Sequence, residues 1–111
     1  MNTLSNKHCV PCEGDTAPFS HLQNAEHLEE LDTWTLLDDT ALEKIISFKD
    51  FPHALAFVNK VGAIAEAEGH HPDITLFDYK KVKIHLTTHA IKGLTENDFI
   101  LASRIDAIER L

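Results

Sequence analysis

Four of the eight histidines in the chain lie within residues 65–89, and two of these four are adjacent. His70 and His71 stand directly before Pro72, and His85 and His89 follow in the next segment. An unperturbed imidazole titrates at about 6.5, so imidazoles that converge in one place suit general acid–base catalysis near neutral pH. They also suit a metal ion. Which chemistry is favoured depends on how the predicted helices and strands place these histidines.

The spacing of the histidines does not favour zinc. Adjacent histidines in a turn diverge, so His70 and His71 are poorly placed to bind one ion. The helical H-x-x-x-H spacing occurs only at His85 and His89, which lie in a strand pattern. We therefore expect no metal site in this region.

The N-terminal residues 1–18 show no apolar period and contain prolines and a glycine, so we expect a flexible tail before one domain over residues 19–111. The tail carries a C-x-x-C at Cys9 and Cys12. This motif is a redox pair, half of a zinc site, or two thiols on a mobile segment. No strand precedes it and no second C-x-x-C completes four ligands, so the last interpretation is preferred.

The composition disfavours two kinds of binding partner, nucleic acids and membrane surfaces. The 111-residue chain has a net charge of −8 at pH 7, which repels phosphate backbones and anionic lipid head groups. Direct nucleic-acid or membrane-surface binding is therefore disfavoured. No apolar run approaches the ~18 residues of a membrane span, and the N-terminus lacks the apolar region of a secretory signal. We expect one cytoplasmic domain.

Hydrophobic periodicity predicts three helices and two β-hairpins. The predicted elements are a helix over 21–31 capped by Ser20 and Gln23, strands over 33–37 and 41–49, a long helix from Asp50 to Gly69, strands over 74–79 and 81–89, and a helix opened by the capping box of Thr95 and Asp98.

The order of these elements is α-β-β-α-β-β-α. Short hairpin connections make the strand pairing antiparallel. In the last strand Val82, Ile84 and Leu86 alternate with polar residues, so one face of the sheet is packed. The sequence therefore predicts an α+β fold with a four-stranded antiparallel sheet and three helices on one face. The other face is either solvated or used for association.

The candidate site lies after the long helix. His70 and His71 follow its C-terminus, and Glu66 stands one turn earlier, where it could orient the ring of His70. His89 comes from the end of the last strand, so it meets the pair only through tertiary folding. Spacing alone supports two interpretations about equally. In one, the histidines form an acid–base site. In the other, His70 and His71 only cap the helix, and His85 and His89 only lie on a solvent-exposed strand face.

The string E-x-x-x-H-H-P from Glu66 to Pro72, followed by Tyr79, His89 and Asp98, resembles the signature of the pterin-4a-carbinolamine dehydratases. The aromatic pattern before this string and the closing T-x-H, G-L-T-E-x-D and I-D segments are similar to the same family. By the element pattern, the resemblance covers roughly residues 20–110.

Some positions admit a second interpretation. Ile74 departs from the family, since many members carry an aromatic residue there, and this affects the wall of the pocket more than its chemistry. Asp98 also fits the capping box of Thr95, and we favour the cap. Tyr79 could contact the pterin, although an aromatic residue at a strand end more often packs. Trp34 is expected in the core.

The resemblance implies a hydro-lyase, 4a-hydroxytetrahydrobiopterin dehydratase. Such an enzyme removes water from 4a-hydroxytetrahydropterin to give quinonoid dihydropterin, and so recycles the cofactor of aromatic amino-acid hydroxylases. Loss of the hydroxyl from C4a needs a proton donor, and formation of the C4a–N5 double bond needs a base. Neither step requires a metal or a cofactor. The resemblance also implies a small pterin substrate and a homodimer or homotetramer.

The resemblance further assigns roles to residues. His70 and His89 would be the acid–base pair, and Glu66 would hold or polarise His70. The implied substrate contacts are His71, Pro72, Tyr79 and Asp98. Two alternatives stay open: a non-catalytic dimerisation or interaction module that acts through a helix surface, and a relative that serves pterin or molybdopterin metabolism.

Overall fold

The computed structural model of the protein describes residues 4–10 and 17–109. Its helices and strands follow the predicted order α-β-β-α-β-β-α, and short 3₁₀ turns lie at Leu4–Asn6 and His89–Ile91. The elements are α1 (His21–Leu28), β1 (Thr35–Leu37), β2 (Ala41–Ser47), α2 (Phe51–Glu68), β3 (Asp73–Phe77), β4 (Lys81–Leu86) and α3 (Glu96–Glu109).

The strands form one antiparallel sheet in the order β1-β2-β4-β3. Each hairpin supplies one edge strand and one central strand. The central strands β2 and β4 pair from Leu42 opposite Leu86 to Ser47 opposite Lys81. The two hairpins are therefore joined through their second strands, and this pairing spans the α2 helix in sequence.

Alternation along β4 gives the sheet one apolar face. Ile84 and Leu86 are each 0% exposed, whereas the lysine and histidine side chains between the buried positions are partly exposed. This apolar face belongs to one hydrophobic cluster with residues of all three helices, including Leu28 of α1, Phe57 of α2 and Phe99 of α3. The α+β arrangement predicted from the sequence is thereby confirmed.

The long helix α2 begins and ends at the predicted residues. The side chain of Asp50 accepts a hydrogen bond from the backbone N–H of His53 at 3.0 Å, which caps the helix. Gly69 ends the helix in the left-handed conformation at φ 66°, which favours glycine. Over the described ranges, no helix is both long and apolar enough to cross a membrane.

The segment Leu4–Val10, which we call the N-terminal strap, packs against the domain. Leu4 is 1% exposed and belongs to the hydrophobic core. We predicted a flexible tail over residues 1–18, and this prediction is wrong for the strap. The strap is held by one buried leucine and by hydrogen bonds to the strap backbone. Neither feature produces an apolar period in the sequence, so the pattern did not predict this contact. Cys12, the second half of the C-x-x-C, lies outside the described residues.

Two predicted strand ends are also corrected. The last strand, predicted over 81–89, ends at Leu86, because Thr88 pairs with Gly93 in an isolated bridge and the chain then enters a 3₁₀ turn. Tyr79, predicted at the end of a strand, lies in the β3–β4 turn with φ 49°.

Trp34 lies in the core, as predicted, and it contacts a buried ion pair. It is 7% exposed, and its Nε1 donates to Oδ1 of Asp106 at 2.8 Å. Lys44 donates to the same oxygen at 2.8 Å and lies 2.6 Å from Glu109. Burial alone lowers the pKa of Lys44, but its hydrogen bonds to Asp106 and Glu109 raise that pKa overall. This cluster ties β2 to α3.

Candidate active site

The end of α2 positions the adjacent histidines. Because Gly69 adopts the left-handed conformation, the chain turns away from the helix at once, and the backbone N–H of His70 donates to the carbonyl of Ala65 at 3.2 Å. Strand β3 then begins at Asp73. His70 and His71 are therefore held in a short connection between a helix end and a strand start.

A buried carboxylate holds His70. Nε2 of His70 lies 2.7 Å from Oδ1 of Asp98, and the side chains are 13% and 0% exposed. An ionised carboxylate can only accept a hydrogen bond, so Nε2 carries the hydrogen and Nδ1 is left to take up or release a proton. A carboxylate that fixes the tautomer and orientation of an imidazole in this way supports acid–base catalysis.

Asp98 is itself fixed by a hydroxyl and a backbone donor. Its Oδ2 accepts from Oγ1 of Thr88 at 2.7 Å and from the backbone N–H of Thr95 at 3.0 Å. The contact with Thr95 is one half of the predicted capping box. We favoured the cap over a role in the site, but the structure shows both contacts, one on each oxygen. The carboxylate of Asp98 therefore both stabilises the start of α3 and orients His70.

Glu66 contacts the other histidine of the pair. Nε2 of His71 lies 2.8 Å from Oε1 of Glu66, and these side chains are 63% and 82% exposed. The sequence predicted that Glu66 orients His70, and the structure corrects this, because the ring of His70 is engaged by Asp98. An ion pair this exposed contributes little to stability.

His89 lies in the loop that follows β4. The backbone N–H of Thr88 donates to the carbonyl of Gly93 at 2.9 Å, which closes the loop at its base. His89 begins the 3₁₀ turn, and its carbonyl accepts from the N–H of Lys92 at 3.3 Å. His89 is exposed, so its ring is open to solvent and to a ligand.

A cleft of about 390 Å³ opens between these elements. Its walls come from the end of α2, the loop after β4, the first turn of α3 and the N-terminal strap. His70, His71 and His89 all line it, so tertiary folding brings together the three histidines expected at the site. The volume falls in the range of roughly 300–1,000 Å³ typical of small-molecule sites.

Other predicted site residues lie elsewhere. The described residues that line the cleft do not include Glu66, Pro72, Tyr79 or Asp98, and Asp98 is connected to the cleft through its contact with His70. Tyr79 is 58% exposed in the β3–β4 turn. The five residues of β3, at about 3.3 Å each, separate this turn from the connection before β3 that contains His71.

His85 is the remaining histidine of the group, and it does not line this cleft. Its Nδ1 lies 3.1 Å from Oε2 of Glu43, the residue opposite it across the β2–β4 pairing. It borders a second depression of about 440 Å³ that also reaches Thr87 and His89.

Sequence reasoning missed several residues of the site. Thr88 donates to Asp98, and its position directly before His89 was a signal that could have identified it. Asn97 lines the cleft beside the strap residues Cys9 and Val10. No periodicity or motif marked these three residues as neighbours.

The chemistry of the cleft rests on its imidazoles. Among the residues that the structure describes, no group of three or more His, Cys, Asp or Glu side chains is arranged to hold a metal ion. Burial raises the pKa of the Cys9 thiol to about 12, and the nearby carboxylates of Glu68 and Asp98 act in the same direction. The thiol is therefore protonated at neutral pH and is a poor nucleophile.

Residues 17–108 match the family model described as pterin 4 alpha carbinolamine dehydratase. The chain is 46% identical to a protein of Chlorobaculum tepidum, in an alignment that covers 97% of this chain and 99% of the relative. It is 43% identical to a protein of Alkaliphilus metalliredigens, with 96% of each chain covered. Both relatives carry the provisional name pterin-4-alpha-carbinolamine dehydratase.

Two solved structures are similar to this one. A crystal structure from Brucella melitensis, described as a transcriptional coactivator/pterin dehydratase, matches with a TM-score of 0.76 and 33% identity over 82% of this chain and 97% of that one. A pterin dehydratase-like protein, identified as a RuBisCO assembly factor in the alpha-carboxysome, matches with a TM-score of 0.59 and 28% identity over 69% of this chain and 89% of that one.

Proposed function

Because this chain belongs to the pterin 4 alpha carbinolamine dehydratase family, we propose that it removes water from 4a-hydroxytetrahydropterin to give quinonoid dihydropterin. In this reaction the C4a–O bond breaks and the hydroxyl leaves as water after it accepts a proton. The proton on N5 goes to a base, and the C4a–N5 double bond forms. The site must therefore supply one proton and accept another.

The His70–Asp98 hydrogen bond of 2.7 Å is the observation that carries this proposal. It fixes the ring of a largely buried imidazole whose other nitrogen is available for proton transfer. A histidine that only capped a helix would not need a buried carboxylate behind it. His70 is therefore assigned to one proton transfer at the pterin.

His89 is assigned to the other proton transfer. It lines the same cleft from the loop after β4 and is open to solvent, so it can exchange protons with water between turnovers. His71 is assigned to substrate binding, with Glu66 orienting it through the 2.8 Å contact. Pro72 and Tyr79 are left without a role at this cleft.

The proposed product suggests the reaction that follows. Quinonoid dihydropterin is an oxidised pterin, so a reductase must consume it to restore the tetrahydropterin that aromatic amino-acid hydroxylases use. The chain would in this way recycle a hydroxylase cofactor. No metal or cofactor of its own is needed for the dehydration.

We also propose that the chain forms a homodimer or homotetramer. The described helices pack on one face of the sheet, and Ile45 on the opposite face is 56% exposed. A small domain with such a face is suited to symmetric association. Sedimentation at tens of micromolar that showed only a 12.5 kDa species would contradict this.

A stopped-flow dehydration assay with chemically generated 4a-hydroxytetrahydropterin tests the activity. Purified protein at micromolar concentration should accelerate the reaction well above its spontaneous rate. A rate unchanged by the protein would reject the enzyme. The interaction role, represented by the RuBisCO assembly factor among the similar structures, would then become the leading function.

A further inference from the structure

The N-terminal strap is fixed by side chains from both α2 and α3. Nε and Nη2 of Arg104 donate to the carbonyl oxygen of Lys7 at 3.0 and 2.6 Å. Oε1 of Glu68, in the last turn of α2, accepts from the backbone N–H of Cys9 at 2.7 Å. Together with the buried Leu4, these contacts hold the strap from the core to the edge of the cleft.

Asn97 makes the final attachment. Its Oδ1 accepts from the backbone N–H of Val10 at 3.0 Å, and its Nδ2 donates to the carbonyl of Val10 at 2.5 Å. The side-chain amide thus bonds both the N–H and the carbonyl of Val10, as a residue on a neighbouring strand would. Asn97 is 4% exposed, and the next residue, Asp98, holds His70. One turn of α3 therefore fixes both the strap and the catalytic histidine.

We propose that the strap forms an apolar wall of the substrate site, that Val10 is a specificity-determining contact for the flat bicyclic ring of the pterin, and that Asn97 is the positioning residue that sets Val10 there. This inference rests on the proposed function and extends it to substrate recognition. It assigns a binding role to a segment that lies outside the residues matched by the family model, which begin at position 17.

The chemistry of Val10 supports this assignment. Its side chain is 65% exposed although its backbone is held, and it lines the same cleft as His71 and His89. The imidazoles can bond the polar edge of a pterin, whereas the ring faces need apolar contact. An exposed valine on a fixed backbone provides such contact at little cost in side-chain entropy.

The strap offers binding but no proton transfer. The backbone N–H groups of Cys9 and Val10 are already donated to Glu68 and Asn97. The thiol of Cys9, with a pKa of about 12, stays protonated through the neutral range. Loss of the strap should therefore raise KM and leave kcat nearly unchanged, which is the pattern of lost uniform binding.

Kinetics of three variants test the proposal. Val10→Ser should raise KM about threefold to tenfold, as expected when one small apolar contact is lost, with kcat within about twofold of wild type. Asn97→Ala should raise KM at least as much. Leu22→Ser is the matched control, because Leu22 on α1 is 67% exposed and does not line the cleft. Its kinetic constants should equal those of wild type.

The reactivity of Cys9 measures strap docking without any assay of activity. The chain has two cysteines, so a Cys12→Ser background leaves Cys9 as the only thiol. Alkylation by iodoacetamide, followed by mass spectrometry, should be slow in this background and at least about tenfold faster when Asn97→Ala is added. Dihydrobiopterin, used as a probe, should slow the alkylation of the Cys12→Ser protein further.

The outcomes separate the two proposals. Faster alkylation in Asn97→Ala with an unchanged KM would overturn the role of the strap and leave the dehydratase intact. Unchanged KM in Val10→Ser, which alters only an exposed side chain, would do the same. If the wild-type protein proved inactive, the proposed function would fail. In that case, protection of Cys9 by dihydrobiopterin would still support the strap as a wall of a pterin site. If dihydrobiopterin did not protect Cys9, the role of the strap would be overturned as well.

Discussion

Asp98 links His70 to the start of α3, since one carboxylate oxygen accepts from the imidazole at 2.7 Å and the other from the backbone N–H of Thr95 at 3.0 Å. The orientation of the histidine is therefore tied to the helix cap. A change at Asp98 should affect both the rate of dehydration and the stability of the fold.

Asp98→Asn should lower kcat by about 10²-fold or more, because its single amide oxygen cannot accept both from His70 and from Thr88 and Thr95, and its NH₂ group must replace one of these acceptors. Stopped-flow kinetics of Asp98→Asn, His70→Ala and the double variant provide the measurement. The double variant should be little slower than His70→Ala, because Asp98 acts through His70. Fully multiplicative losses would show that Asp98 acts independently of His70.

His70→Ala and His89→Ala should each lower kcat by roughly 10²-fold or less, since each removes one proton-transfer group and the other can partly substitute. His71→Ala should chiefly raise KM. His21→Ala is a suitable control, because His21 lies on α1, away from the cleft, with a side chain that is 79% exposed. Wild-type kcat and KM in all three site variants would refute the assignment.

Dehydration should not depend on a metal. If the histidines act as acid and base, kcat/KM should vary with pH between about 5 and 8, the interval in which imidazoles ordinarily titrate. Treatment with EDTA should leave the rate unchanged. Activity that was lost to EDTA and restored by a stoichiometric metal would overturn this mechanism and leave the fold as described.

The charge of Glu68 should stabilise the docked strap at neutral pH. A hydrogen bond with His8 and another from the backbone N–H of Cys9 hold the pKa of Glu68 below its usual 4.5. A carboxylate whose pKa is lower in the folded chain contributes stability above its unfolded pKa, and that contribution is lost as the pH falls through the folded value.

Glu68→Gln keeps an acceptor for Cys9 and removes the charge. Its free energy of unfolding in urea should therefore lie below that of wild type at neutral pH, and the two values should converge as the pH falls through the lowered pKa of Glu68 in the folded chain. A difference that stayed constant from neutral to acid pH would show that the charge of Glu68 does not stabilise the docked strap.

Lys44→Met should destabilise the fold by about 3 kcal/mol, because it leaves the buried carboxylate of Asp106 without its cation. Trp34→Phe removes the hydrogen bond to Asp106 and part of a buried ring, and should cost about 2 kcal/mol. Urea unfolding measures both changes. Neither side chain lines the cleft, so kcat should remain near wild type in both variants.

The sequence allowed prediction of what is local. The period of α2, its cap at Asp50 and its end at Gly69 follow from neighbouring residues, and the histidine motif then identified the cleft. The contacts of the strap could not be predicted in this way. Val10 and Asn97 are 87 residues apart, and a side-chain amide that pairs with a backbone leaves no pattern in the sequence.

The partner of Glu66 could not be predicted for a similar reason. Its distance in sequence from His70 and His71 is nearly the same, and only the burial of Asp98 decides which ring is free to meet it. The choice between two neighbouring histidines is thus made by a residue on another helix.

The order of the strands has a kinetic consequence. Each hairpin can form from neighbouring residues, but β2 and β4 bring together residues as far apart as Leu42 and Leu86, which are 44 positions apart. Closing so long a loop costs entropy before any central contact compensates for it. Docking of the two hairpins across α2 should therefore limit the refolding rate, and this step also assembles the cleft, because it brings the loop after β4 to the end of α2.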